Sequence, residues 1–116
     1  MNIIKAFRRF KANLKINEAI KQADQAHAKD GKRYYVMPNG GLDGKLVVMD
    51  RYNFRKLKLK HYIPHNVKIM DLERECFYCT AYKNGEGKLD TETLAKKREN
   101  YHSWLEVLRK LRKHYK

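Results

Sequence analysis

Apolar residues recur at helical spacing from the start of the chain. Ile3, Phe7, Phe10 and Leu14 fall on one face, and Arg8, Arg9, Lys11 and Lys15 fall largely on the others. A second stripe, Ile16, Ile20, Ala23 and His27, is out of phase with the first, because Leu14 and Ile16 are only two positions apart. The pattern predicts helix over residues 2–30. It either breaks near Asn17, whose side chain can cap a new helix, or runs on with an apolar face that turns. Gly31 ends it in both cases. His27 lies in the stripe and reads as a structural histidine.

The period changes over residues 33–50. Tyr34-Tyr35-Val36-Met37 and Leu46-Val47-Val48-Met49 are rich in β-branched and aromatic residues, and Asn39-Gly40 and Asp43-Gly44 lie between them. That is the signature of a two-stranded antiparallel hairpin. Neither run alternates between apolar and polar, so both faces of the ribbon need cover, from helices or from a second copy of the chain. Adjacent strand residues point oppositely, so one of Tyr34 and Tyr35 faces a core and the other is open to a ligand.

Beyond the hairpin, Asp50 can cap a helix over 51–62 with Phe54, Leu57 and Tyr62 inward and Arg51, Arg55, Lys56 and Lys58 outward, closing before Pro64. Leu72, Cys76 and Cys79 share a face of a further helix over 71–82. After the glycines of 84–87, Asp90 caps a last helix over 91–115. Its stripe runs through Leu94, Tyr101, Leu105, Leu108, Leu111 or Arg112, and Tyr115, with Trp104 beside it as an anchor. At 1.5 Å per residue it spans about 35 Å, so it overhangs the core or packs on a partner. The expected fold is α+β and mainly helical: about five helices, with one two-stranded antiparallel β-hairpin at residues 33–50, in a single domain of residues 1–116.

Composition supports a folded chain: 42% of residues are hydrophobic, and Gly and Pro are few. No apolar run is long enough to span a membrane, and Lys and Arg interrupt the N-terminal apolar residues too soon for a secretory signal. A cytoplasmic location is expected. Charge changes the picture most. The chain carries 27 Lys and Arg against 13 Asp and Glu, a formal net charge of +14. Three segments without an acidic residue concentrate it. The first holds Lys5, Arg8, Arg9, Lys11 and Lys15; the second Arg51, Arg55, Lys56, Lys58 and Lys60; the third Arg109, Lys110, Arg112, Lys113 and Lys116. Self-repulsion of this size is relieved by a polyanion, although basic charge can also serve solubility alone.

Candidate chemistry is sparse. Gly40 to Lys45 is one residue short of a phosphate-binding P-loop, and a strand follows it instead of Ser or Thr and a helix. Gly41-Leu42-Asp43-Gly44 has the GxxG spacing that clamps nucleic acid in KH modules, but it lies between strands, and Asp43 repels phosphate. Cys76-Phe77-Tyr78-Cys79 is a C-x-x-C; Asp71, Glu73 and Glu75 before it favour neutral thiols, which argues against redox work. With His61 and His65, the two cysteines make a reversed zinc-finger-like donor set, chemically adequate for tetrahedral zinc. The competing assignment, buried core thiols, is the one expected. Side-chain aliphatic hydroxyls are limited to Thr80, Thr91, Thr93 and Ser103, and no catalytic set assembles from the sequence. No enzyme activity and no cofactor are expected.

Aromatic residues interleave with cations in Lys32-Arg33-Tyr34-Tyr35, Arg51 to Lys56 and Lys60-His61-Tyr62, a pattern suited to phosphates and unpaired bases. The leading expectation is a small basic protein that binds DNA or RNA through phosphates. Its contacts would be Arg51, Arg55, Lys56, Lys58 and Lys60, extended by Arg8, Arg9, Arg109, Arg112 and Lys113. The alternative is a protein-interaction or oligomerisation module with incidental charge. Membrane association through Ile3, Ile4, Phe7 and Phe10, with Arg8, Arg9 and Lys11 at the headgroups, ranks third.

Overall fold

The structure, a computed structural model, describes residues 3–114. The elements run α1 (Ile3–Asp30), β1 (Tyr35–Pro38), β2 (Leu46–Met49), α2 (Arg51–Leu59), α3 (Ile69–Glu75), β3 (Tyr78–Cys79) and α4 (Thr91–His114). The fold is thus mixed helix and sheet, with four helices and a three-stranded antiparallel sheet among the described residues. Five helices and a lone hairpin were expected.

The sheet has the order β2-β1-β3. Tyr35 pairs with Met49 and Val36 with Val48 on one side of β1; on the other, Tyr35 pairs with Cys79 and Val36 with Tyr78. Alternation along the strands sorts the core into two layers. Val36, Leu46, Val48 and Tyr78 meet Ala12, Ile16, Ala19 and Ala23 of α1, together with Phe77 and with Tyr101, Trp104 and Leu105 of α4. Tyr35, Met37, Val47, Met49 and Cys79 meet Phe54 and Leu57 of α2 and Leu72 of α3. Both faces of the hairpin are therefore covered by helices of the same chain. The need for a second copy to cover them disappears.

α1 does not break at Asn17. Its 28 residues span about 42 Å, close to the 44 Å long axis of the molecule. Its core face is Ala12, Ile16, Ala19 and Ala23, where three alanines let the helix approach the sheet closely. The first stripe points elsewhere: Ile3 is 85% exposed, and Phe7, Phe10 and Leu14 are each more than half exposed. Gly31, at φ +76°, ends the helix and donates its N–H to the His27 carbonyl at 2.6 Å. The His27 ring itself meets the Lys32 carbonyl at 2.8 Å, a structural role.

The Asp50 cap forms as the sequence indicates. Asp50 Oδ1 accepts from the Asn53 N–H at 2.8 Å, and the Asn53 side chain accepts from the Asp50 N–H at 3.3 Å. α2 ends at Leu59, which leaves Tyr62 exposed outside it and off the buried stripe.

The helix expected over 71–82 forms only as far as Glu75, and its second half is corrected to a strand. α3 stops at Glu75, Cys76 turns to extended backbone (φ −64°, ψ 155°), and the chain pairs with β1. Phe77 N–H donates to the Val36 carbonyl, and Thr80 N–H to the Tyr34 carbonyl. Phe-Tyr-Cys-Thr has the composition of a strand, and β1 offers a free edge, so pairing outweighs the helical spacing of Leu72, Cys76 and Cys79.

Asp90 Oδ1 accepts from the Thr93 N–H at 2.7 Å and starts α4 as expected. Tyr115 and Lys116 lie outside the described residues. No helix among the described residues is long and apolar enough to cross a membrane.

Candidate functional site

α4 lies antiparallel beside α1. Ile16 and Ile20 face Leu94 and Ala95, and Arg8 faces Leu105 and Arg109. Polar side chains fix the pair. Arg98 donates to Asn13 Oδ1 at 3.3 Å and to Asn17 Oδ1 at 2.7 Å, and His102 Nε2 lies 3.0 Å from Asn13 Oδ1. Arg9 Nη2 meets Glu99 at 2.5 Å. Burial and, next, the charge on Arg9 hold the His102 pKa below its ordinary 6.5, which favours the neutral ring; because Asn13 Oδ1 is an acceptor, the tautomer that fits carries its proton on Nε2.

This helix pair opens into a furrow, two adjoining hollows of about 160 Å³ each that share Arg8, Ala12, Leu105 and Arg109. Lys5, Arg8, Lys11 and Lys15 line it from α1, and Arg109 and Arg112 from α4. Two of the basic segments, some ninety residues apart in sequence, thus meet on one surface.

The carboxylates nearby are already engaged. Glu99 holds Arg9, Glu106 holds Arg109 at 2.9 Å, and Asp43 accepts from the Lys45 N–H. Arg112 Nη1 donates to the Leu42 carbonyl at 2.7 Å and ties α4 to the hairpin turn. Gly44, at φ +75°, packs against Leu105, whose Cδ2 would lie 3.0 Å from an added Cβ. A side chain there would push the turn off the helix. Among the described residues Lys5, Arg8, Lys11 and Lys15 make no ion pair; the Lys11 ammonium sits 4.9 Å over the Phe7 ring.

The second basic segment, residues 51–60, does not join this surface. α2 lies across the sheet, in the other core layer. Two of its cations are taken up by the fold: Arg51 lies 3.6 Å from Glu73 and 3.4 Å from the Tyr82 hydroxyl, and Lys58 Nζ donates to the Val67 carbonyl at 2.7 Å. Arg55, Lys56 and Lys60 are exposed, with Lys56 over the Tyr52 ring at 5.3 Å. Lys113 is exposed on α4 outside the furrow lining. The single footprint expected of all three segments is therefore split by the sheet.

His61, His65, Cys76 and Cys79 do not assemble either. The two histidines pack edge to face in the exposed loop after α2, 5.4 Å between centroids, whereas Cys76 and Cys79 are 1% and 2% exposed in the core. No group of three or more metal-ligating side chains forms among the described residues.

The thiols instead have cationic neighbours that sequence spacing could not reveal. Arg33 Nη2 donates to Cys79 Sγ at 3.0 Å, and Lys97 Nζ lies 3.5 Å from Cys76 Sγ. The hydrogen bond from Cys76, reinforced by the Arg33 and Lys97 charges, lowers the Cys79 pKa. The same contact and burial push Cys76 up. Both sulfurs are buried in the core, and the geometry assigns them no chemistry.

Both hairpin tyrosines are engaged. Tyr35 is fully buried, with its hydroxyl 3.4 Å from Glu73 Oε1. Tyr34 is half-buried and donates to Asp30 Oδ2 at 2.6 Å, which pushes its pKa up to about 12. The Tyr34 ring packs, partly buried, against the α1 layer of the core, and the Tyr35 ring lies in the other layer. No protein-family model, curated protein or solved structure matches this chain.

Proposed function

We propose that this chain is a non-catalytic nucleic-acid-binding protein that lays a phosphate backbone along the α1–α4 furrow. The observation that carries the reading is the convergence of Lys5, Arg8, Lys11 and Lys15 with Arg109 and Arg112, where the local carboxylates are already paired. A net charge of +14 supplies the long-range attraction, and release of condensed counterions supplies the free energy. Phosphate contacts position a protein without reading sequence, so binding should be tolerant of sequence.

The test is fluorescence anisotropy with labelled duplex and single-stranded oligonucleotides over a salt series. Arg8→Ala/Lys15→Ala should weaken duplex binding and make the slope of log K against log salt shallower by about 1.8, roughly 0.9 for each lost contact. Lys56→Ala/Lys60→Ala, across the sheet, should leave the slope unchanged. Absence of binding at low salt, or an unaltered slope in the furrow variant, defeats the proposal.

Self-association is favoured by one observation, the exposure of Ile3, Phe7, Phe10 and Leu14 along α1 with Val107 on α4. Light scattering over a hundredfold concentration range tests it, and a constant monomer mass rejects it.

A further inference from the structure

A second basic hollow, of about 310 Å³, opens where the start of β1, the start of α2 and the chain after β3 come together. Its walls carry Lys32, Arg33, Arg51, Arg55 and Lys83 against one carboxylate, Asp50. Asp50 is committed to the α2 cap and to Lys32 at 3.9 Å.

Two guanidinium groups crowd one ring here: the Arg33 carbon lies 4.1 Å and the Arg51 carbon 5.3 Å from the centre of Tyr82. Glu73, which accepts from the Tyr82 hydroxyl, offsets Arg51 alone. Arg33 is only 8% exposed and makes no ion pair among the described residues; it donates to the Gly87 carbonyl at 3.2 Å and to Cys79 Sγ. The Nε–H groups of Arg33 and Arg51 are both buried and without an acceptor. A buried charged donor left unsatisfied is costly, and a planar guanidinium presents its N–H groups in the geometry that phosphate oxygens accept. Arg51 and Tyr52 open α2, so the positive end of the helix dipole adds to the same field.

We propose that this hollow binds a phosphate group, with Arg55 and Lys83 as the exposed arms that close on it and Arg33 and Arg51 as the fixed base. A free phosphate ion and the phosphate of a nucleotide share that chemistry. The exposed Tyr52 ring at the rim provides a stacking face only for the nucleotide.

The experiment is titration calorimetry of the full chain with inorganic phosphate and with adenosine monophosphate, at fixed pH and with ionic strength matched by chloride. Phosphate should bind, and Arg55→Ala/Lys83→Ala, which removes two surface side chains outside the core, should lose about tenfold or more in affinity. Arg8→Ala/Lys15→Ala in the α1–α4 furrow should bind phosphate like the unaltered chain, which separates this site from the nucleic-acid surface. Tighter binding of the monophosphate supports the hollow with a nucleotide as its source, and equal or weaker binding supports it with free phosphate. Heats indistinguishable from dilution for both probes, or equal affinity in the Arg55/Lys83 variant, overturn the assignment.

Discussion

Replacing Lys97 by Met removes a buried ammonium while keeping most of its volume. Nζ lies 2.9 Å from the Glu73 carbonyl, 3.0 Å from that of Cys76 and 3.4 Å from that of Arg74, and the residue is 6% exposed. These carbonyls end α3 and begin the turn into β3, where no further helical N–H can satisfy them. Two bonds of good length to a charged donor are worth about 1.5–3 kcal/mol each, so about 3–6 kcal/mol is lost. Met avoids the cost of burying a charge, which returns part of that loss. The expected net destabilisation is about 2–4 kcal/mol, a large share of the roughly 5–15 kcal/mol typical of a small protein. Urea unfolding followed by far-ultraviolet circular dichroism measures it, with Lys96→Met, on the exposed side of the same turn, expected within about 0.5 kcal/mol of the unaltered chain. A Lys97→Met loss under about 1 kcal/mol, or a gain, refutes the view that this ammonium holds the end of α3.

Asp50→Ala removes the carboxylate half of the α2 cap, the bond from the Asn53 N–H, and leaves the backbone N–H at position 50 to donate to Asn53; it should cost about 1–2 kcal/mol in the same assay, and an unchanged urea midpoint would show the carboxylate to be dispensable. Tyr101 buries a hydroxyl that has no partner among the described residues, so Tyr101→Phe should be neutral or stabilising by up to about 1 kcal/mol, and a loss beyond that would show the hydroxyl to be satisfied. Because the His102 pKa is held below 6.5 in the fold, the stability tied to its neutral ring is full above about pH 6.5 and declines as pH falls through the lower folded value. Urea midpoints at pH 7.5 and 5.5 should differ less in His102→Gln than in the unaltered chain; equal differences would remove His102 from the acid response.

The hairpin and the Asp50 and Asp90 caps were legible because each is a local event: composition and turn residues specify the first, and one carboxylate three residues before the N–H that donates to it specifies each cap. The phase of α1 was not. Two apolar stripes compete on that helix, and the larger side chains, Phe7 and Phe10, lie on the losing one. Ala12, Ala19 and Ala23 win because a helix crossing a sheet at close range needs small residues, a requirement set by the sheet and not by the helix. β3 escaped for a similar reason, since two residues carry too little pattern to oppose a helical spacing that begins in a real helix. For the site, the basic segments were visible as charge, but their grouping depended on which helices share a layer. The burial of Arg33 and Lys97 gave no signal at all: a buried cation is indistinguishable in sequence from the many that face water.

The central position of β1 carries a consequence for how the chain assembles. Its partner β2 lies across a seven-residue turn, whereas β3 lies thirty-nine residues further on. By loop-closure entropy, the distant pairing costs about 1.5 kcal/mol more than the near one, and a two-residue strand cannot recover that alone. The hairpin should therefore form early and wait as an open edge until α3 and α4 bring β3 to it. On this order, the contact between Arg33 and Cys79 is among the last to be made, and the chain's most exposed moment for edge-to-edge aggregation is the interval before β3 docks.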